Sequence, residues 1–148
     1  MRTRTSFGLD DIRPPDLTVE KTAMEARSAT PTILVVDDER LIADTISEIL
    51  VQHGFAAFKA YSGEEGLRLS QALRPEIVLS DVLMPRMSGI DMAILIKEAL
   101  PATRIVLFSG QATTAELLRK AAAAGHTFEL LAKPIHPDEL VHKIKEMR

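Results

Sequence analysis

Residues 33–39 read ILVVDDE, so an aliphatic run ends directly in three acids. Adjacent carboxylates such as Asp37 and Asp38 repel each other, and burying either one unpaired is costly. At an effective dielectric of 20, like charges about 4 Å apart repel by roughly 4 kcal/mol. A hard divalent cation removes that penalty, and Mg2+ characteristically takes one or two carboxylates together with water and phosphate oxygens. Asp37 and Asp38 therefore read as a magnesium seat. A third acid, Asp81, ends a second aliphatic run, EIVLSD, while Ser109 and Lys133 stand in RIVLFS and LAKP. Brought together, these groups suit phosphoryl transfer. Asp81 would be the nucleophile, and the cation, Lys133 and Ser109 would hold the equatorial oxygens of the transferred group. Taken singly, each residue has a plainer reading: an acid or serine caps a helix or turn, and a loop lysine is a solvated charge.

The chemistry requires elements that bring these positions to one place. From Pro31 onward, short aliphatic runs alternate with stretches of helical period. TILVV, FAAFKA, EIVLS, RIVLFS and FELLA are the strand candidates. RLIADTISEILVQHG, GEEGLRLSQAL, GIDMAILIKEAL, AELLRKAAAAG and DELVHKIKEM are the helix candidates that follow them. In the first helix, Leu41, Ile42, Thr45, Ile46, Ile49 and Leu50 predict the buried stripe. Ser62-x-x-Glu65 and Thr113-x-x-Glu116 have the capping-box form, and Ser88 suits the cap of the third helix. Gly54 and Gly125 fall where a helix end takes a left-handed residue, and Pro137 fits a first turn. The runs at 33–36, 77–80 and 105–108 are continuously apolar, as in strands buried on both faces of a parallel sheet. FAAFKA, ending in Lys59, is the edge candidate. Right-handed crossovers then give an α/β, doubly wound (βα)5 flavodoxin-like fold with strand order 2-1-3-4-5. In that order Asp37, Asp38, Asp81, Ser109 and Lys133 all lie past the carboxyl ends of strands, where such sheets bind ligands.

Bulk composition narrows the alternatives. The chain has 148 residues, 46% hydrophobic and 26% charged, with a net charge of −3, which gives no electrostatic footprint for nucleic acid or an anionic membrane. With no cysteine, disulfides and thiolate metal sites are excluded, in keeping with a cytoplasmic protein. No apolar run reaches the roughly 18 to 20 residues that cross a bilayer, and Arg2 and Arg4 are not followed by the apolar segment of a secretory signal. Residues 1–30 are polar, contain Pro14-Pro15, and read as a flexible or weakly ordered arm before a domain at 31–148. Translation from Met24 is the alternative. His53, His126, His136 and His142 show no ligand spacing and read as surface or capping residues.

Over residues 31–148 the chain resembles the receiver domain of two-component response regulators, through VVDDE, SDVLMPRMSG, LFSG and LAKP. The resemblance implies that Asp81 accepts a phosphoryl group from a sensor histidine kinase or phosphotransfer protein. It implies Mg2+ on Asp38, Asp81 and the Leu83 carbonyl, with Asp37 completing the acidic pair. It also implies Ser109 as switch hydroxyl, Lys133 as phosphate-binding lysine, and positions Leu83 and Gln111 as those that tune dephosphorylation. Catalysis beyond the protein's own phosphoryl transfer and slow autodephosphorylation is not expected. The chain stops at Arg148, soon after the fifth helix, so the expectation is a stand-alone receiver. It would signal to a partner protein through helix 4, strand 5 and helix 5.

Two departures stand out. Leu130 occupies the position, three before the lysine, where the family usually has an aromatic switch residue. Phe128 lies two residues earlier, in a segment one residue longer than usual, so either Phe128 substitutes through a bulge or coupling from Ser109 differs. The competing classes are a phosphorylation-independent interaction module, a flavodoxin-like electron carrier and an aspartyl phosphatase. The first loop, DDER, with one Tyr and no Trp in the chain, disfavours the carrier, and Leu83 stands where the phosphatase needs an acid.

Overall fold

In the computed structural model, residues 30–110 and 114–147 are described. The chain divides into two units, Met1–Thr30 and Pro31–Arg148, and the second carries the sheet. Its elements alternate strictly: β1 (Thr32–Val36), α1 (Arg40–Gln52), β2 (Ala56–Ala60), α2 (Gly63–Leu73), β3 (Ile77–Asp81), α3 (Gly89–Ala99), β4 (Arg104–Ser109), α4 (Thr114–Ala123), β5 (Glu129–Ala132) and α5 (Pro137–Glu146). All strand pairs are parallel, in the order β2-β1-β3-β4-β5. This is the doubly wound fold that the sequence pattern predicts.

Alternation along continuously apolar strands explains the two layers. Ile33, Val35, Ile77, Leu79, Val106 and Phe108 point to one face, where Ala43, Ile46 and Leu50 of α1 and Leu140, Val141 and Ile144 of α5 cover them. Leu34, Val36, Val78, Ile105 and Leu107 point to the other, under Ile90, Met92, Ala93 and Ile96 of α3 and Ala121 of α4. Each large aliphatic side chain buried in this way contributes about 1.5–3 kcal/mol relative to exposure. β2 is an edge strand, with Phe58 and Lys59 exposed.

The predicted punctuation is largely present. Ser62 Oγ accepts from Glu65 N–H and Ser88 Oγ from Asp91 N–H, both at 3.0 Å. Gly54 and Gly125 have φ of 90° and 94°. Pro137 opens α5. Thr113, and with it the second capping box, lies outside the described residues, as does the arm before Thr30.

The buried stripe of α1 differs from the one that its periodicity predicts. Ala43, Ile46, Ser47 and Leu50 are its buried residues, Ile42 and Ile49 flank them, and Leu41 is 79% exposed with Thr45 also exposed. The small side chains at 43 and 47 share the sheet-facing stripe with Ile46 and Leu50, which leaves Leu41, Ile42 and Ile49 at the margin of the helix. There Leu41, Ile42 and Ile49 line an apolar groove of about 590 Å³ with Pro134 and Ile135, and Lys133 borders it. Among the described residues no helix is long and apolar enough to cross a membrane.

Candidate functional site

The carboxyl edge of the sheet places the sequence-selected residues together. Asp37 follows β1 and its N–H donates to the Ala60 carbonyl of β2 at 3.1 Å. Asp81 ends β3 opposite Phe108 of β4, and Ser109 pairs in register with Ala132, one residue before Lys133. Carboxylate oxygens of Asp37, Asp38 and Asp81 lie within 4.8 Å of one another. Lys133 Nζ stands 3.2 Å from Asp81 Oδ1 and 5.5 Å from the centroid of the buried Phe108 ring. At that distance the ring face is within cation–π reach of the ammonium. A cavity of about 320 Å³ opens between Asp38, Asp81, Leu83, Ser109 and Lys133, with Glu39 at its margin.

The electrostatics are those of a site short of positive charge. Asp37 is fully buried; one oxygen, Oδ1, accepts from Glu39 N–H at 2.9 Å, whereas Oδ2 is buried without a hydrogen-bond partner. Burial pushes the Asp37 carboxyl up to about 6; the Glu39 N–H pulls down against this and the Asp81 charge adds to it. Burial also raises the Asp81 carboxyl, opposed by the charge and hydrogen bond of Lys133 and by Val82 N–H, which donates to Oδ1 at 3.0 Å. An orphaned buried oxygen beside two further carboxylates is a donor set that a hard divalent cation fits. The capping alternative for the acidic pair does not hold, since Glu39 is the residue that caps α1 by backbone position.

The loop after β3 is braced from two sides. Arg86 Nε pairs with Glu64 Oε2 of α2 at 3.1 Å, and Met84 is buried. Gly89 N–H donates to the Val82 carbonyl at 2.8 Å, and a Cβ on Gly89 would lie 1.9 Å from the Asp81 carbonyl oxygen. Only glycine lets α3 approach the Asp81 backbone so closely, a requirement that the MSG sequence did not reveal.

Of the remaining predicted positions, Leu83 is 41% exposed at the cavity and Gln111 lies outside the described residues. Leu130 is exposed on β5, opposite Leu107. Phe128 precedes β5, packs on the α3/α4 side of the core and stacks on His126 with centroids 6.3 Å apart. The register from Glu129 to Ala132 is continuous, so no bulge carries Phe128 into the place of Leu130. The extra residue is absorbed between α4 and β5. His126 also approaches Glu98 Oε2 at 3.7 Å and is more enclosed than a surface residue, unlike the exposed His53 and His142.

A doubly wound parallel sheet carrying an acidic cavity and a lysine at its carboxyl edge defines the class as α/β proteins of flavodoxin-like fold. Comparison with known proteins narrows the class: the response regulator receiver domain family matches residues 33–145, and the chain belongs to that family. It is 32% identical over 113 residues to the cell cycle transcriptional regulator CtrA of Caulobacter vibrioides, covering 76% of this chain and 48% of that protein. The chain thus spans about half the length of this curated relative. Among solved structures, a receiver domain protein from Clostridium thermocellum matches with a TM-score of 0.71 and 30% identity, covering 78% of this chain and 92% of that one. A CheY-like receiver domain protein from Methanospirillum hungatei matches with a TM-score of 0.73 and 27% identity, covering 80% and 93%.

Proposed function

We propose that residues 31–148 are a phosphoacceptor receiver of a cytoplasmic two-component relay, with Asp81 as the acceptor. The observation that carries this reading is the meeting of three carboxylates within 4.8 Å, one with an orphaned buried oxygen, beside a lysine 3.2 Å from Asp81. Asp37, Asp38, Asp81 and the Leu83 carbonyl would hold Mg2+, which when bound supplies charge neutralisation for the acids and for the transferred group. In the transfer, an Asp81 oxygen forms a P–O bond as the P–N bond to the donor imidazole breaks. The electron pair leaves with the nitrogen, which takes up a proton. Lys133 follows the developing charge, and the Ser109 hydroxyl donates to a phosphoryl oxygen. The test is to incubate the protein with Mg2+ and a small phosphodonor. One acid-labile, hydroxylamine-sensitive phosphoryl group per chain is expected, and none in EDTA. An unlabelled wild-type protein would favour the phosphorylation-independent module instead.

The partner is a sensor histidine kinase or phosphotransfer protein whose imidazole must come within bonding reach of Asp81. The apolar groove beside α1 shares Lys133 with the site, so a helix laid there would carry its histidine to the cavity. Leu41→Glu is expected to slow labelling from the donor protein by about tenfold, the loss of one buried leucine contact, and to leave labelling from a small donor unchanged. Equal slowing with both donors would move the docking surface elsewhere. Output is assigned to α4, β5 and α5, where Leu130 and the partly buried Phe128 are the switch candidates.

The lifetime of the phosphorylated state follows from the cavity wall. Leu83 cannot hydrogen-bond an attacking water, and Gln111 is assigned the second tuning position. Leu83→Asn is expected to accelerate loss of the phosphoryl group by roughly tenfold, because an amide there can orient water. Decay followed after donor removal, in both proteins side by side, checks this. A variant that decays at the wild-type rate or slower would sink the shielding argument.

A further inference from the structure

Outside the cavity, four side chains join the edge strand to the start of α1. Ala60 pairs with Val36 at the end of β2, so Tyr61 leaves the sheet level with Asp37. Its N–H donates to Glu65 Oε1 at 2.7 Å, which fixes the stem of the residue on α2. Its phenol donates to Asp44 Oδ1 at 2.6 Å, and the same oxygen takes Lys59 Nζ at 3.1 Å. The Arg40 guanidinium lies over the Tyr61 ring, 4.2 Å from its centroid. Arg40 opens α1 and Asp44 follows at i+4, so the phenol lies along the start of that helix. The hydrogen bond to Asp44 holds the Tyr61 hydroxyl protonated, as its raised pKa and the lowered pKa of Asp44 agree.

This brace falls where the helix lacks one of its own. Glu39, the N-cap of α1, makes no side-chain capping bond, and the first turn contains no acid. Asp38 and Glu39, at the margin of the cavity, immediately precede Arg40. We infer that Tyr61 is a positioning residue for the acidic loop: by holding Arg40 and Asp44 it sets the start of α1, and with it the carboxylates that receive Mg2+. The inference rests on the Mg2+ reading given above. A loop held in place before the cation arrives does not have to be ordered on binding, so the brace acts on affinity and not on the phosphoryl transfer itself.

The experiment is a calorimetric Mg2+ titration of the full chain, paired with labelling rates at low and saturating Mg2+. Tyr61→Ala is expected to raise the Mg2+ dissociation constant by about tenfold, because the loop carrying the carboxylates must then be ordered on binding. Tyr61→Phe, which keeps the ring beneath Arg40, and Asp44→Ala, which keeps Tyr61, should each raise it by about threefold. In all three, the labelling rate at saturating Mg2+ should match wild type. Variants that melt earlier yet bind Mg2+ as wild type does would overturn the proposal and leave Tyr61 a purely structural residue. A slower rate at saturating Mg2+ with unchanged affinity would overturn it as well. Failure of the wild-type protein to bind Mg2+ would instead remove the Mg2+ reading, and the inference with it.

Discussion

Asp81→Asn is expected to take up no phosphoryl group from either kind of donor, while folding at least as stably as wild type in EDTA. The amide has the shape of the carboxylate, and its oxygen can still accept from Val82 N–H and Lys133, so the local hydrogen bonds survive. What disappears is the anionic nucleophile, without which no P–O bond forms. Burial raises the Asp81 carboxyl above its ordinary range despite Lys133, so its ionised form costs stability at neutral pH and the neutral amide does not. The same substitution removes a negative charge that raises Asp37, so Asp37 should titrate lower than in wild type, though still above the ordinary range because burial is the larger cause. Intact-mass measurement after donor treatment, together with carboxyl titration by NMR, reads both effects. Retained labelling would place the acceptor on another acid. An unshifted Asp37 would mean that the two carboxylates are not electrically coupled.

The strand ends were legible because a parallel sheet aligns them. Once β1, β3, β4 and β5 are recognised as apolar runs, the residue after each run must lie on one edge, and Asp37, Asp81, Ser109 and Lys133 are those residues. Helix orientation was less legible. Periodicity identifies α1 but cannot tell whether Leu41 or Ala43 faces the sheet, since that depends on how closely the helix approaches. The contact of Gly89 with the Asp81 carbonyl depends on the path of the loop between them, and glycine in MSG has other local explanations. Tyr61, Asp44 and Arg40 meet only because β2 lies beside β1, a long-range fact with no signature in spacing. At β5 the sequence left two alternatives for Phe128, and the unbroken register with β4 removes the bulge.

The largest pH effect is expected in the metal-free protein, whose stability should fall as pH rises from about 4 to about 6. The Asp37 carboxyl is raised from an ordinary 3.8 to about 6, so in this window the folded chain keeps a proton that the unfolded chain has released. Unfolding then releases a proton, and rising pH favours unfolding. At 1.36 kcal/mol per unit, the shift corresponds to about 3 kcal/mol, fully lost once pH passes 6. Asp81, also raised, acts in the same direction. Two exposed acids oppose the trend. Asp44 is lowered by the Tyr61 hydroxyl and Glu64 by its own backbone N–H and by Arg86, and their contributions are lost as pH falls below the ordinary carboxylate range. Those losses reach only the acid end of the window, so the slope between about 5 and 6 belongs to the site. Mg2+ requires ionised carboxylates and should have little effect near pH 4.5 but a large one above 6. At a hundredfold excess over its dissociation constant it returns about 2.7 kcal/mol, close to what ionising Asp37 removes. Urea midpoints at three pH values, with EDTA and with Mg2+, separate the two curves, and Asp37→Asn should flatten the EDTA curve. A metal-free stability that climbs across this window would show Asp37 ionised in the fold from the outset, and the acidic pair would then have no unmet charge for a cation to satisfy.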